Sequence, residues 1–145
     1  MRASLFRFFV FFVLIVAIDQ AIKWVFLHGF SYRGGWFDLI LVYNKGVAFS
    51  WFAFLGAYLK YIQVGLICLI FGYLLGEKAM LSRFSLELGM VLGAGASNIA
   101  DRFMHPGVVD YFYWHKWFDF AVFNFADVMI DLGVAIIILR LILKK

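Results

Sequence analysis

Charge is scarce in this chain of 145 residues: Asp, Glu, Lys and Arg make up 15% of it, against about 25% in ordinary soluble domains. Cysteine occurs once, at Cys68, which excludes an intramolecular disulfide. The three histidines, His28, His105 and His115, stand singly, so there is no Cys/His group with metal-ligand spacing and no structural zinc or other cofactor is expected. A GxSxG elbow is also missing, and with it the usual signature of serine hydrolases. The single proline, Pro106, marks a turn at His105-Pro106-Gly107, and no repeat or low-complexity segment breaks the chain. What fills the sequence is apolar side chain, at 66%. A soluble domain of this length has too large a surface-to-volume ratio to hide that much, so lipid is the expected solvent.

The apolar residues fall into four runs. Phe6 to Leu27 is a nearly unbroken stretch of 22 residues, ~33 Å long as a helix, which matches a hydrocarbon core of about 30 Å. Arg2 and Arg7 ahead of it resemble the start of a signal peptide, but the run is too long and lacks a small-x-small cleavage site, so an uncleaved first helix is expected. Residues 52–75, 84–101 and 123–143 supply the other three candidates, giving one α-helical membrane domain over residues 1–145 with both termini on the same side. Arg2, Arg7, Lys78, Arg83, Arg140, Lys144 and Lys145 flank one face of this arrangement, and Arg33, Lys45, Arg102 and Lys116 the other. By the positive-inside rule the termini are cytoplasmic. The net charge of +4 therefore reads as a topology signal, and no basic cluster faces a folded surface as nucleic-acid binding would need.

The connections differ. Gly76 to Ser82 reads as a short polar inner link. The outer loops, residues 28–51 and 102–122, read as folded: Trp36 to Tyr43 and Val108 to Trp114 have strand composition, and Asn44-Lys45-Gly46 forms a turn. Both are crowded with aromatics, including Trp36, Trp51, Trp114 and Trp117. Such rings suit the headgroup level, either as a plain aromatic belt or as a platform for a lipid-bearing substrate.

Few ionisable residues enter the spans, and each invites an explanation, because insertion at a helix centre costs about 2.5–3.5 kcal/mol. Asp19 and Lys23 are four apart in the favourable order for an ion pair. Lys60 can snorkel, Glu87 sits near the inner mouth, and Cys68 reads as a buried, inert thiol. Gly89 and Gly93 form a GxxxG pair expected to admit a close helix. Asn98, Asp101 and Arg102 end the third span at the level where Asn124 and Asp127 open the fourth, with Asp131 one turn deeper. Asp110 lies between apolar residues on the second strand-like stretch. Two carboxylates sharing a proton can serve as acid and base in peptide hydrolysis. Asp127 is the best member by depth, and its partner could be Asp19, Asp101, Asp110 or Asp131. The competing reading is a small channel or proton-conducting protein using Asp127 and Asp131.

Four separated blocks carry a resemblance. They are Asp19-Gln20 with Lys23; Asn44-Lys45-Gly46-Val47-Ala48-Phe49-Ser50; Asn98-Ile99-Ala100-Asp101-Arg102 followed by Val108-Val109-Asp110; and Phe123-Asn124-Phe125-Ala126-Asp127. In order and spacing they resemble the lipoprotein signal peptidases (signal peptidase II) over nearly the whole chain. The resemblance implies a monomeric four-helix enzyme of the bacterial inner membrane with an extracytoplasmic β-cradle. It would cut the signal peptide of diacylglyceryl-modified prolipoproteins just before the lipidated cysteine, with membrane lipids as its other partners. It further implies Asp110 and Asp127 as the catalytic pair, and Asn98, Arg102 and Asn124 as residues that line the site and orient substrate. Asn44 and Gly46 match the cradle's lip, while Asp19 and Lys23, with Asp101, match supporting positions. One departure is Ser97, where the family usually has Gly, and a slight change in helix packing is expected there. The GxGD motif of presenilin-type proteases is absent.

Overall fold

The computed structural model describes residues 1–46 and 53–143. Four long helices, α1 (Arg2–Leu27), α2 (Tyr58–Gly76), α4 (Ser85–Met104) and α5 (Phe125–Ile142), are joined by the short helix α3 (Lys78–Arg83) and by strands β1 (Tyr32–Arg33), β2 (Phe37–Asn44) and β3 (Val108–Trp114). Among the described residues, α1 and α2 are long and apolar enough to cross a membrane. Helix α5 is equally apolar in character, but carries Asp127, Asp131 and Arg140 within 18 residues.

Helix α4 is the centre of the packing. Eleven of its residues are buried, against two each in α2 and α5. The reason is small side chains: a Cβ at Gly93 would stand 2.7 Å from the backbone oxygen of Phe12, and Gly89 meets the backbone of Phe8 in the same way. The expected GxxxG approach is thus the seam between α4 and α1. Phe8, Leu74, Leu81, Phe84, Leu88 and Leu92 form one buried cluster, and Ile15, Met90, Ala94 and Ala126 another. The outer surfaces of α1 and α2 remain apolar and exposed, as at Val13, Leu66 and Leu69, which is the pattern of helices solvated by lipid.

Several expectations need correction. The polar link at residues 76–82 is in fact the helix α3, because Leu81 is drawn into the core and is 1% exposed. Helix α2 begins at Tyr58 and not at residue 52: a 3₁₀ turn over Ala53–Leu55 and Gly56, at φ +51°, break the helix before it. The third long helix continues past Asp101 to Met104. Cys68 is exposed rather than buried, on the outer face of α2. The stretch from Val47 to Phe52, with four of the seven residues of the second family block and the start of the second span, lies outside the described residues, as do Lys144 and Lys145.

The strands form an antiparallel sheet in the order β1-β2-β3. Strand β3 covers the expected residues, and β2 is displaced by one from Trp36–Tyr43. Tyr43 pairs with Val109 and Val42 with Asp110, beyond an irregularity between Leu39 and Val42. The sheet is anchored to α1 by Tyr111, whose ring stacks on Phe26 at 4.2 Å between centroids. A bridge from Phe112 to Phe123 ties β3 to the approach to α5.

Candidate active site

Asp127 owes its position to the start of α5. The Asn124 side chain accepts a hydrogen bond from the Asp127 backbone N–H at 2.9 Å, and the Asp127 carboxylate accepts one from the Asn124 N–H at 3.1 Å. This reciprocal cap stops the helix at Phe125 and fixes the carboxylate in the first turn. Asp110 is placed by strand alternation: Val108 and Asp110 face a common cavity while Val109 turns the other way, fully buried.

Asn124 joins the two acids. Its Nδ2 donates to Asp110 Oδ1 at 2.6 Å, while its Oδ1 and N–H hold Asp127. Asn44, at the end of β2, donates to Asp110 Oδ2 at 3.0 Å, and Asn98 donates to Asp127 Oδ1 at 2.9 Å. Arg102 donates to the carbonyl oxygens of Asn44 and Gly46, pinning the β2 end over the site. Gly95, Asn98, Ile99 and Arg102 all line the cavity, as residues at i, i+3, i+4 and i+7 of one helix face must. Asp101, between them in sequence, points elsewhere.

The cavity has a volume of about 830 Å³. Asn44, Gly46, Asn98, Arg102, Asp110 and Asp127 make its polar end, and Leu66, Ile67, Val128, Ile130, Leu132 and Ala135 continue it as an apolar groove between α2, α4 and α5. Asp131 also lines it. Burial first, and then the nearby charge of Asp127, push the Asp110 carboxyl up to about 7, although hydrogen bonds from Asn44 and Asn124 pull it down. Burial likewise raises the neighbouring Tyr111 phenol to about 12, and its oxygen accepts from the Phe125 N–H at 3.0 Å.

The structure therefore brings Asp110, Asp127, Asn98, Asn124, Asn44, Gly46 and Arg102 together. It holds Asp19, Lys23 and Asp101 beside them, fully buried and not lining the cavity. Lys23 Nζ lies 2.6 Å from Asp19 Oδ2 and 2.7 Å from Asp101 Oδ2. Asp101 also accepts from the Val109 N–H at 3.0 Å, linking α4 to β3. Of the four candidate partners for Asp127 left open by the sequence, Asp110 is the one that shares Asn124. At the opposite end of the helices, Glu87 pairs with Arg140.

Sequence reasoning named Gln20 in the first family block but gave it no role, and it missed the use made of Ser97. The Gln20 amide donates to Ser97 Oγ at 2.9 Å and to Asp101 Oδ1 at 2.8 Å, and the Ser97 hydroxyl donates to Asp19 Oδ2 at 2.7 Å. Ser97 therefore acts through a hydrogen bond that glycine cannot make. A polar Gln20 inside an apolar run was the available signal.

Residues 11–143 match the family described as Signal peptidase (SPase) II. The chain is 54% identical to the lipoprotein signal peptidase of Helicobacter pylori (strain Shi470) over 139 residues, covering 96% of this chain and 88% of that protein. It is 49% identical to the lipoprotein signal peptidase of Campylobacter jejuni (strain RM1221) over 141 residues, covering 97% and 90%. In fold it is similar to a bacterial membrane enzyme solved by the in meso method at 2.3 Å, with a TM-score of 0.76, 22% identity and coverage of 92% of this chain and 85% of that one. From the match across residues 11–143 and the identity to these relatives, the chain belongs to the signal peptidase II family.

Proposed function

We propose that this chain removes the signal peptide of diacylglyceryl-modified prolipoproteins, cutting before the lipidated cysteine with Asp110 and Asp127 as its catalytic pair. The enzyme is an aspartic peptidase of a bacterial membrane family. Its four long helices cross the inner membrane, with both termini cytoplasmic and the sheet as a cradle at the extracytoplasmic ends. Membership of a peptidase family displaces the conducting reading built on Asp127 and Asp131.

The observation that carries the assignment is the bridge through Asn124, which holds two carboxyl groups at the polar end of an apolar groove. Asp110, raised to about 7, holds the shared proton over much of the neutral range. Asp127 then takes a proton from the attacking water as its oxygen bonds to the scissile carbonyl carbon, and Asp110 gives its proton to the carbonyl oxygen. When the resulting diol collapses, Asp110 takes back a proton from one of the diol hydroxyls as the carbonyl reforms, the C–N bond breaks, and the proton on Asp127 passes to the departing amine, which returns both acids to their starting states. Asn44 and Asn98 keep each carboxyl in place, and Arg102 holds the backbone of Asn44 and Gly46 over the site. The groove between α2, α4 and α5 suits an apolar signal peptide arriving sideways from the bilayer.

A gel-shift assay in detergent, with a diacylglyceryl prolipoprotein and its unmodified precursor as substrates, tests this. Cleavage confined to the lipidated form and unaffected by a metal chelator is expected. Equal cleavage of the unmodified precursor, or none of either, would contradict the substrate assignment.

A further inference from the structure

Lys23 makes a contact that a plain ion pair does not need. Its Nζ has three protons and three acceptors: Asp19 Oδ2, Asp101 Oδ2 and, at 2.8 Å, Asn98 Oδ1. The ammonium is entirely buried, so no water competes for any of the three. Asp19 and Asp101 satisfy the charge, whereas the third proton goes to a neutral amide that lines the cleavage cavity.

That third bond settles which way the Asn98 amide faces. An ammonium has no acceptor, so the Asn98 atom toward it must be oxygen. Asn98 Oδ1 accepts from Asn124 Nδ2 as well, at 3.1 Å. Its Nδ2 is thereby left to donate to Asp127 Oδ1 at 2.9 Å. Turning the amide over would set donor against donor at both Lys23 and Asn124, and oxygen against oxygen at Asp127. Gln20 and Ser97 hold Asp101 and Asp19 from behind, so the ammonium itself has no slack.

We propose that Lys23 is a positioning residue for the cleavage reaction: it fixes the Asn98 amide so that its N–H group is always presented to Asp127. The inference rests on the assignment of Asp110 and Asp127 as the catalytic pair. Its action passes through Asn98, and this separates it from a role in folding alone.

The test is a double-mutant cycle on kcat with the lipidated substrate, using Lys23→Met, Asn98→Ala and the combination. Each single variant is expected to lower kcat by about tenfold or more with KM changed by less than about twofold, and the combination to be no slower than Asn98→Ala. If Lys23→Met cleaves at the wild-type rate, or lowers kcat by the same factor whether or not Asn98 is present, the inference is overturned. Lys23→Met leaves two buried carboxylates without their cation. Should it not fold, Lys23→Met with Asp101→Asn replaces it in the cycle, since this removes one negative charge with the positive one and keeps an acceptor for the Val109 N–H. Asp127→Asn is measured alongside. Wild-type cleavage by that variant would overturn the catalytic pair itself, an outcome distinct from additivity between Lys23 and Asn98.

Discussion

Asp110 is 1% exposed and shares its surroundings with a second acid, so the folded chain binds a proton there that an unfolded chain would release. The consequence for stability follows from the sign. Between the ordinary carboxyl value of 3.8 and the folded value of about 7, stability falls as pH rises, and above about 7 the loss is complete. Asp110→Asn does not titrate. It is expected to abolish cleavage, and, although its amide sets a donor against Asn44 or Asn124, its stability relative to the wild type is expected to improve from pH 4 to pH 8 by at most about 4 kcal/mol, from roughly three pKa units at about 1.4 kcal/mol each. An equal difference from the wild type at both pH values would contradict the account. Wild-type kcat/KM is expected to fall as pH rises through about 7, when the pair loses its shared proton. Ser97→Gly, which restores the usual family residue, removes the donor to Asp19 and is expected to lower stability by about 1–2 kcal/mol in a thermal scan. These acids were legible as an unusual set in an apolar chain. Their pairing was legible only through the family resemblance, because Asp110 and Asp127 meet through Asn124 across a sheet-to-helix junction that no spacing in the sequence encodes. Ser97 was read as a packing change, since a hydroxyl's partner on another helix is invisible in one dimension.

At the scale of elements, α4 is organised by what it lacks. Gly93→Ala places a Cβ against the backbone of α1, which cannot move without opening the seam, whereas Gly72 on α2 has nothing within 4 Å. Gly93→Ala is therefore expected to destabilise by about 2 kcal/mol or more and Gly72→Ala to be neutral or slightly stabilising, read as melting temperatures in the same detergent. Equal responses would contradict the central place given to α4. The GxxxG pair, the strand at Val108 to Trp114 and the long apolar runs were all readable, because each follows from periodicity or composition over many residues. The helix α3 was not: six residues are too few for a periodic signal, and Leu81 is helical because the core beneath it needs filling. The start of α2 was misplaced for a related reason, since apolar residues before Gly56 look like span in sequence but belong to a turn.

For the whole molecule, the scarcity of charge and its placement are one fact seen twice. Apolar surface on α1 and α2 makes lipid the solvent, and the few charges left are spent at two ends. Glu87 and Arg140 pair at one end, and the acids, amides and Lys23 gather at the other beside the sheet. The groove between α2, α4 and α5 leads into that second end, and it is the path that the proposed sideways entry of a lipid-borne peptide would take. The central claim is that Asp110 and Asp127 together cut the peptide bond, and the direct measurement is the cleavage rate of purified Asp110→Asn and Asp127→Asn on a diacylglyceryl prolipoprotein. Both variants are expected to run as folded protein in detergent and to leave the substrate uncut. Cleavage by either one at the wild-type rate would contradict the account.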